Sequence, residues 1–222
     1  MNASVILFDI DGTLLSTGGA GARAWSRAFV ELYGVAGDVE RFSESGMTDP
    51  EVVRRTFVGT LGREADEREL AQLIMRYLKR LPEEVEASPG YRLMPGVTRL
   101  LDELSEAGAL LGLVSGNIEG AARIKIARGG LGRFFPFGGY GSDSADRASL
   151  TAVAIHRACT MHGHELDLTR VFVVGDTPHD VAAAHAAGAV SVAVATGGFS
   201  LHELRDAGAD HVLPTLESTF PE

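Results

Sequence analysis

Four short apolar runs, at residues 5–8, 110–114, 171–174 and 190–195, are separated by stretches of helical periodicity. The runs are rich in Val, Ile and Leu and are bounded by Gly, Ser, Asp or Thr, the pattern of strands covered on both faces. Between them, residues 96–107 place Val97, Leu100, Leu101 and Leu104 at helical spacing ahead of Gly108, a residue suited to a helix C-terminus. Residues 148–162 and 181–187 are Ala-rich and also read as helices. Strands alternating with helices predict a doubly wound, mostly parallel α/β sheet. Ligands of such sheets lie beyond the carboxyl ends of the strands. That rule brings residues 9–13, 115–117 and 176–180, all polar, to one edge.

Residues 16–88 follow another pattern. They carry helical stretches at 22–33, 50–61 and 67–81 and no strand, and Pro82, Pro89-Gly90 and Pro95-Gly96 punctuate the return to the α/β pattern. The expected organisation is an α/β core of residues 1–15 and 89–222 with a helical cap of residues 16–88. Gly18-Gly19 and residues 88–90 are the expected joints. A chain of 222 residues is long enough for both.

Composition narrows the partners. The formal net charge is -10, which disfavours nucleic acid or an anionic membrane, since both call for a basic surface. No apolar run approaches the roughly 20 residues of a membrane span. The single Cys159 cannot form an internal disulfide, so a reducing cytoplasm is the expected compartment. The apolar run at 5–8 lacks a basic flank and leads straight into acids, so it is expected to be a buried strand rather than a signal peptide.

The sharpest chemistry lies in Val5-Ile-Leu-Phe-Asp9-Ile-Asp11-Gly12-Thr13. Two carboxylates two positions apart share a side of an extended chain. Carboxylates crowded in this way repel by several kcal/mol at an effective dielectric near ~20. Mg²⁺, which prefers oxygen ligands, is the natural counter-charge.

With Asp9, Asp11 and Thr13 after the first strand, Ser115 in Leu113-Val-Ser-Gly-Asn117, and the acids of Gly175-Asp176-Thr-Pro-His-Asp180, the chain resembles the haloacid dehalogenase superfamily over nearly its whole length. The match is to its phosphatases with a helical cap between the first and second motifs. The resemblance implies a Rossmann-like core, Asp9 as nucleophile and Asp11 as acid and base. It implies Mg²⁺ held by the Asp9 side chain, the Asp11 carbonyl and Asp176, with Asp180 on the ion or just behind it. Thr13, Ser115, Gly116 and Asn117 would bind phosphate, the last two through N–H groups at a helix start. Plainer roles are open too: Ser115 as a helix N-cap and Asp180 as a helix N-terminal carboxylate.

The family's usual lysine before the fourth strand is missing, and Arg147 occupies the corresponding place. Arg can bind an oxyanion bidentately, so the role is preserved. The alternative for Arg147 is a surface pair with Asp143 or Asp146. Lys125 is the weaker rival, lying roughly 10 Å into the helix expected to begin near Ser115. In the cap, Thr48 is a possible substrate contact, although Thr48 or Asp49 equally suits an N-cap before Pro50. Arg23 and Arg54 read first as solvated helix-face charges, and His179 as at most a substrate contact or a residue behind the metal.

The expected activity is hydrolysis of a small phosphorylated metabolite, similar to phosphoglycolate phosphatase, by a monomer or homodimer. A phosphotransferase similar to β-phosphoglucomutase shares the motifs. Receiver domains of response regulators also cluster carboxylates, but the roughly 70-residue insertion between the first and second motifs argues against one. A silent binding protein would more often have lost one of Asp9, Asp11 or Asp176.

Overall fold

In the computed structural model, which describes residues 4–163 and 165–221, six strands form one parallel sheet. They are β1 (Val5–Phe8), β4 (Leu110–Ser115), β5 (Phe137–Tyr140), β6 (Val171–Gly175), β7 (Val190–Val194) and β8 (His211–Leu213). Their order is β5-β4-β1-β6-β7-β8, so β1 lies between β4 and β6. Phe8 is in register with Leu113 on one side and Val174 on the other. The carboxyl ends of the three central strands therefore come side by side.

The side chains of β1 alternate between two cores, as the two-residue period of a strand requires. Ile6 and Phe8 join Phe172, Val174 and the inward residues of α5 (Val97–Glu106) and α6 (Glu119–Arg128). Val5 and Leu7 join Val171, Val173 and the Leu150, Ala154, Ala158 stripe of α7 (Arg147–His162). Helices α8 (Pro178–Ala186) and α9 (Leu201–Asp206) complete the layers. Phe8 has no exposed surface, and its truncation to alanine would cost about 3–5 kcal/mol.

Between β1 and α5 stand α1 (Ala20–Tyr33), α2 (Val39–Phe42), α3 (Asp49–Leu61) and α4 (Glu67–Ala87). They bury an apolar cluster of their own that includes Trp25, Phe29, Phe57, Leu73, Tyr77 and Leu81. Trp25 and Tyr77 stack with centroids 3.9 Å apart and planes 4° from parallel. A short antiparallel ladder of β2 (Leu15–Ser16) and β3 (Arg92–Leu93) joins the two linkers. Beside it the Ser88 hydroxyl donates to the Thr17 carbonyl at 2.7 Å.

Several expectations need correction. Pro82 lies inside α4, which runs on to Ala87. Strands β5 and β8 were not expected. Helix α6 begins at Glu119, with Ile118 as its cap residue and no side-chain cap, so Ser115 is a strand residue and not an N-cap. No helix among the described residues is long and apolar enough to cross a membrane.

Candidate active site

Strand β1 hands directly into the acid pair. The Asp9 N–H donates to the Val174 carbonyl at 2.9 Å and extends the ladder by one bond. The chain then turns at Gly12, whose φ of 89° suits glycine. A Cβ there would lie 2.5 Å from an Asp176 oxygen, so the bare glycine lets Asp176 approach the turn. Thr13 is fully buried and its hydroxyl donates to Asp176 at 3.1 Å. It thus orients a carboxylate, whereas the family resemblance had it bind phosphate.

Asp9, Asp176 and Asp180 are all buried, and one oxygen of each lies within 4.8 Å of the others. Asp180 serves two purposes. One oxygen closes a capping box at the start of α8, accepting from the Thr177 N–H at 3.0 Å and hydroxyl at 2.7 Å. The other accepts from Arg147 Nε at 2.8 Å and Nη2 at 2.5 Å. Arg147 Nη2 also lies 3.0 Å from Asp9 Oδ1. The surface alternative for Arg147 does not hold, because Asp143 pairs with Arg157 and Asp146 caps α7.

Three carboxylates thus share one guanidinium, and the imbalance shows in their acidities. Burial, reinforced by Asp180, Asp176 and Asp11 and opposed by Arg147, holds Asp9 well above the ordinary carboxylate range. Burial and the neighbouring Asp180 push Asp176 up to about 7, against the Thr13 hydrogen bond. The group is short of positive charge and offers only oxygen donors. A hard divalent cation fits both requirements.

The second cation of the site is Lys125. Its Nζ lies 2.6 Å from Asp11 Oδ2 and 2.6 Å from Asn117 Oδ1. Asn117 Nδ2 in turn donates to Asp11 Oδ2 and to Ser115 Oγ, both at 2.8 Å. Burial pulls the Lys125 pKa down, yet the carboxylates of Asp11 and Asp49 outweigh it and hold the group above its usual value. The rise along α6 was a poor guide to this residue, since helical side chains lean toward the N-terminus and lysine is long. Ser115 ends β4, and Gly116 and Asn117 lie in the turn that follows, ahead of the Ile118 cap of α6.

The helical insertion closes the other side. The Asp49 N–H donates to the Gly116 carbonyl at 2.8 Å, and the Ile118 N–H donates to Asp49 Oδ2 at 2.9 Å. Thr48 is buried at this seam, where a Cβ on Gly116 would lie 3.2 Å from its Cα and 2.4 Å from the Met47 carbonyl. Thr48 precedes α3 without capping it through its side chain, and its hydroxyl has no partner. His179 abuts the insertion, its ring 2.5 Å from where a Cβ on Gly46 would stand. Arg23 pairs with Glu84 and Arg54 with Glu67, as helix-face charges do.

Between the sheet edge and the insertion lies a cavity of about 330 Å³. Asp9, Asp11, Ser115, Asn117, Lys125 and Arg147 line its floor. A larger groove of about 720 Å³ runs between α3, α4 and residues 141–145 and holds none of these carboxylates.

The family model for haloacid dehalogenase-like hydrolases matches residues 3–188. The chain belongs to this family. Among solved structures, CbbY from Rhodobacter sphaeroides in complex with phosphate is similar at 23% identity and a TM-score of 0.76, covering 97% of this chain and 95% of that one. A predicted phosphoglycolate phosphatase from Haemophilus somnus is 20% identical with a TM-score of 0.74, covering 97% and 96%. A putative beta-phosphoglucomutase from Bacteroides vulgatus is 21% identical with a TM-score of 0.66, covering 97% and 85%. No curated protein matches the chain. At these identities the structural likenesses establish the fold of the hydrolase.

In the sequence Asp49 reads only as a helix end, and nothing there marks Trp25 or Tyr77 as part of the site of this hydrolase. All three line the cavity. A lone tryptophan among the small residues of Gly19-Ala-Gly-Ala-Arg-Ala-Trp25 was the available signal, but a core role explains it equally well.

Proposed function

We propose that this hydrolase is a magnesium-dependent phosphatase acting on a small phosphomonoester through an aspartyl-phosphate on Asp9, in the manner of phosphoglycolate phosphatases. The observation that carries the reading is the buried Asp9, Asp176 and Asp180 cluster with a single guanidinium, at the floor of a cavity of metabolite size. Residues 1–15 and 89–222 are the proposed catalytic core and residues 16–88 its cap. The lone, free Cys159 is consistent with a cytoplasmic enzyme.

Mg²⁺ held by Asp9, Asp176, Asp180 and the Asp11 carbonyl would neutralise the carboxylates and the phosphoryl oxygens. An Asp9 oxygen attacks phosphorus, forming the Asp9 O–P bond as the bond to the leaving oxygen breaks. Both Lys125 and Asn117 donate to Asp11 Oδ2. Oδ1 is therefore the atom left to carry a proton to the leaving oxygen. The same atom then takes a proton from water as that water attacks phosphorus, releasing phosphate and restoring Asp9. Arg147, beside Asp9, balances negative charge throughout, with Ser115, Gly116 and Asn117, which line the cavity, as the proposed donors to phosphoryl oxygens.

A phosphotransferase is the second reading, and the seam between Asp49 and residues 116–118 favours it. A cap seated this closely shields an acyl phosphate from water until a second hydroxyl accepts it. The test is inorganic phosphate release from a panel of phosphomonoesters with and without Mg²⁺. Metal-dependent release that is lost in Asp9→Asn supports the phosphatase. Phosphoryl exchange between sugar phosphates without phosphate release supports the phosphotransferase.

A further inference from the structure

The leaving group of a substrate bound at Asp9 has to occupy the part of the cavity lined by the insertion. Thr17, Ser43 and Ser45 offer hydroxyls there, Trp25 and Tyr77 offer aromatic surface, and Glu44 and Asp49 offer carboxylates. The only basic side chains lining the cavity among the described residues are Lys125 and Arg147. Both are committed. Arg147 is held by Asp9 and Asp180 at the floor. Lys125 is fixed 2.6 Å from Asp11 and also feels Asp49, so two carboxylates flank one ammonium.

Among the described residues Asp49 has no cation within ion-pairing distance, although the Lys125 ammonium nearby favours its charged form. It is tied down by the Ile118 N–H and by a hydrogen bond with Trp25. Burial raises it to about 6, which leaves it ionised at neutral pH. Glu44, at the cavity mouth, takes the exposed Arg55 at 3.2 Å. The leaving-group side of the cavity therefore keeps net negative charge in a partly desolvated space, and both cations that line the cavity are already held by carboxylates.

We infer that the substrate's leaving group is uncharged or cationic, an alcohol bearing hydroxyl or amino groups, and that Asp49 excludes leaving groups that carry a carboxylate or second phosphate. This rests on the phosphatase reading and divides its substrates. A carboxylate placed beside Asp49 would meet a like charge with no free counter-charge, a repulsive element of the kind that sets specificity. A hydroxyl finds partners in the Ser and Thr side chains. An ammonium finds the Asp49 carboxylate. The enzyme type is shared with phosphoglycolate phosphatases, but phosphoglycolate itself would be a poor substrate.

The test uses three two-carbon phosphomonoesters that differ only in their far end: 2-hydroxyethyl phosphate, O-phosphoethanolamine and 2-phosphoglycolate. With Mg²⁺ at neutral pH, kcat/KM for the first two should exceed that for phosphoglycolate by about tenfold or more. Asp49→Asn keeps an oxygen to accept from Ile118 and removes the charge, so it should narrow that ratio about fivefold or more. Glu44→Gln, on the exposed mouth, should narrow it by less than about twofold. p-Nitrophenyl phosphate, with an uncharged aryl leaving group, serves as the reference substrate for all three proteins. Phosphoglycolate turned over as well as its neutral analogue by the wild type overturns the inference and leaves the phosphatase reading standing. So does a ratio unmoved in an Asp49→Asn enzyme that still hydrolyses the reference. No hydrolysis of any of the four removes the phosphatase reading and this inference together.

Discussion

The sheet edge and the outer faces of α1 and α4 are both rich in acids, and the two regions handle the charge in opposite ways. On the helices carboxylates meet arginines near the surface: Glu84 with Arg23 and Arg27, Glu31 with Arg80, Glu83 with Arg27. These pairs are solvated and balanced, and pairs of this kind add little to stability. At the sheet edge, Asp9, Asp176 and Asp180 are buried around Arg147 alone, and their charge is left uncompensated. A folded protein retains such an imbalance where a ligand completes it. The density of acids alone would have marked both regions, whereas charge balance and burial distinguish them.

The largest effect is expected at Asp9, the proposed nucleophile. Asp9→Asn should lower phosphate release by about 10³-fold or more, because it removes the attacking oxygen, measured by steady-state phosphate assay in Mg²⁺. Arg147→Ala leaves the three carboxylates without a protein counter-charge. It should cost about 10²-fold in kcat/KM, and the loss should exceed that in Arg147→Lys, which keeps the charge but not the fork.

A thermal scan across pH sharpens the same contrast. The Asp176 carboxyl is raised in the folded protein, so it binds its proton more tightly folded than unfolded. Its contribution is fully present below the unfolded value near ~4 and is lost as pH rises through about 7. Metal-free protein should therefore lose roughly 5 °C of Tm or more between pH 5 and 8. Saturating Mg²⁺ should reverse that loss at pH 8 and do less at pH 5. The smallest effect belongs to the helices: Arg80→Ala should leave phosphate release unchanged and move Tm by less than about 2 °C.

The legible parts of the sequence were those where local pattern and final environment agree. Strand β1 was readable at its observed limits because Val5-Ile-Leu-Phe is buried on both faces and ends in polar residues. Strand β5 was not, because Phe137-Gly-Gly-Tyr has two glycines at its centre. They are there for packing: a Cβ on Gly139 would lie 2.0 Å from the Leu150 carbonyl of α7. Pro82 was read as a helix end, yet tertiary packing of Leu81 and Val85 carries α4 past it.

Asp9, Asp176 and Asp180 were legible as a group, since the α/β pattern sets the strand ends they follow, whereas Arg147, at the start of α7, was legible only through the family resemblance. Lys125 was ranked too low because distance along a helix axis says little about where a long side chain ends. Asp49 was hidden more deeply. Its part in the site comes from the seating of α3 on the turn after β4, and that long-range contact has no trace in local sequence.

The most direct test of the account is to mix enzyme, Mg²⁺ and a turned-over phosphomonoester, quench in acid within one turnover, and map phosphorylation by mass spectrometry. A phosphoryl group is expected on the peptide containing Asp9 and is expected to be absent from Asp9→Asn. A phosphoryl group on another residue, or full-rate phosphate release with no adduct on the wild type at any quench time, would contradict it.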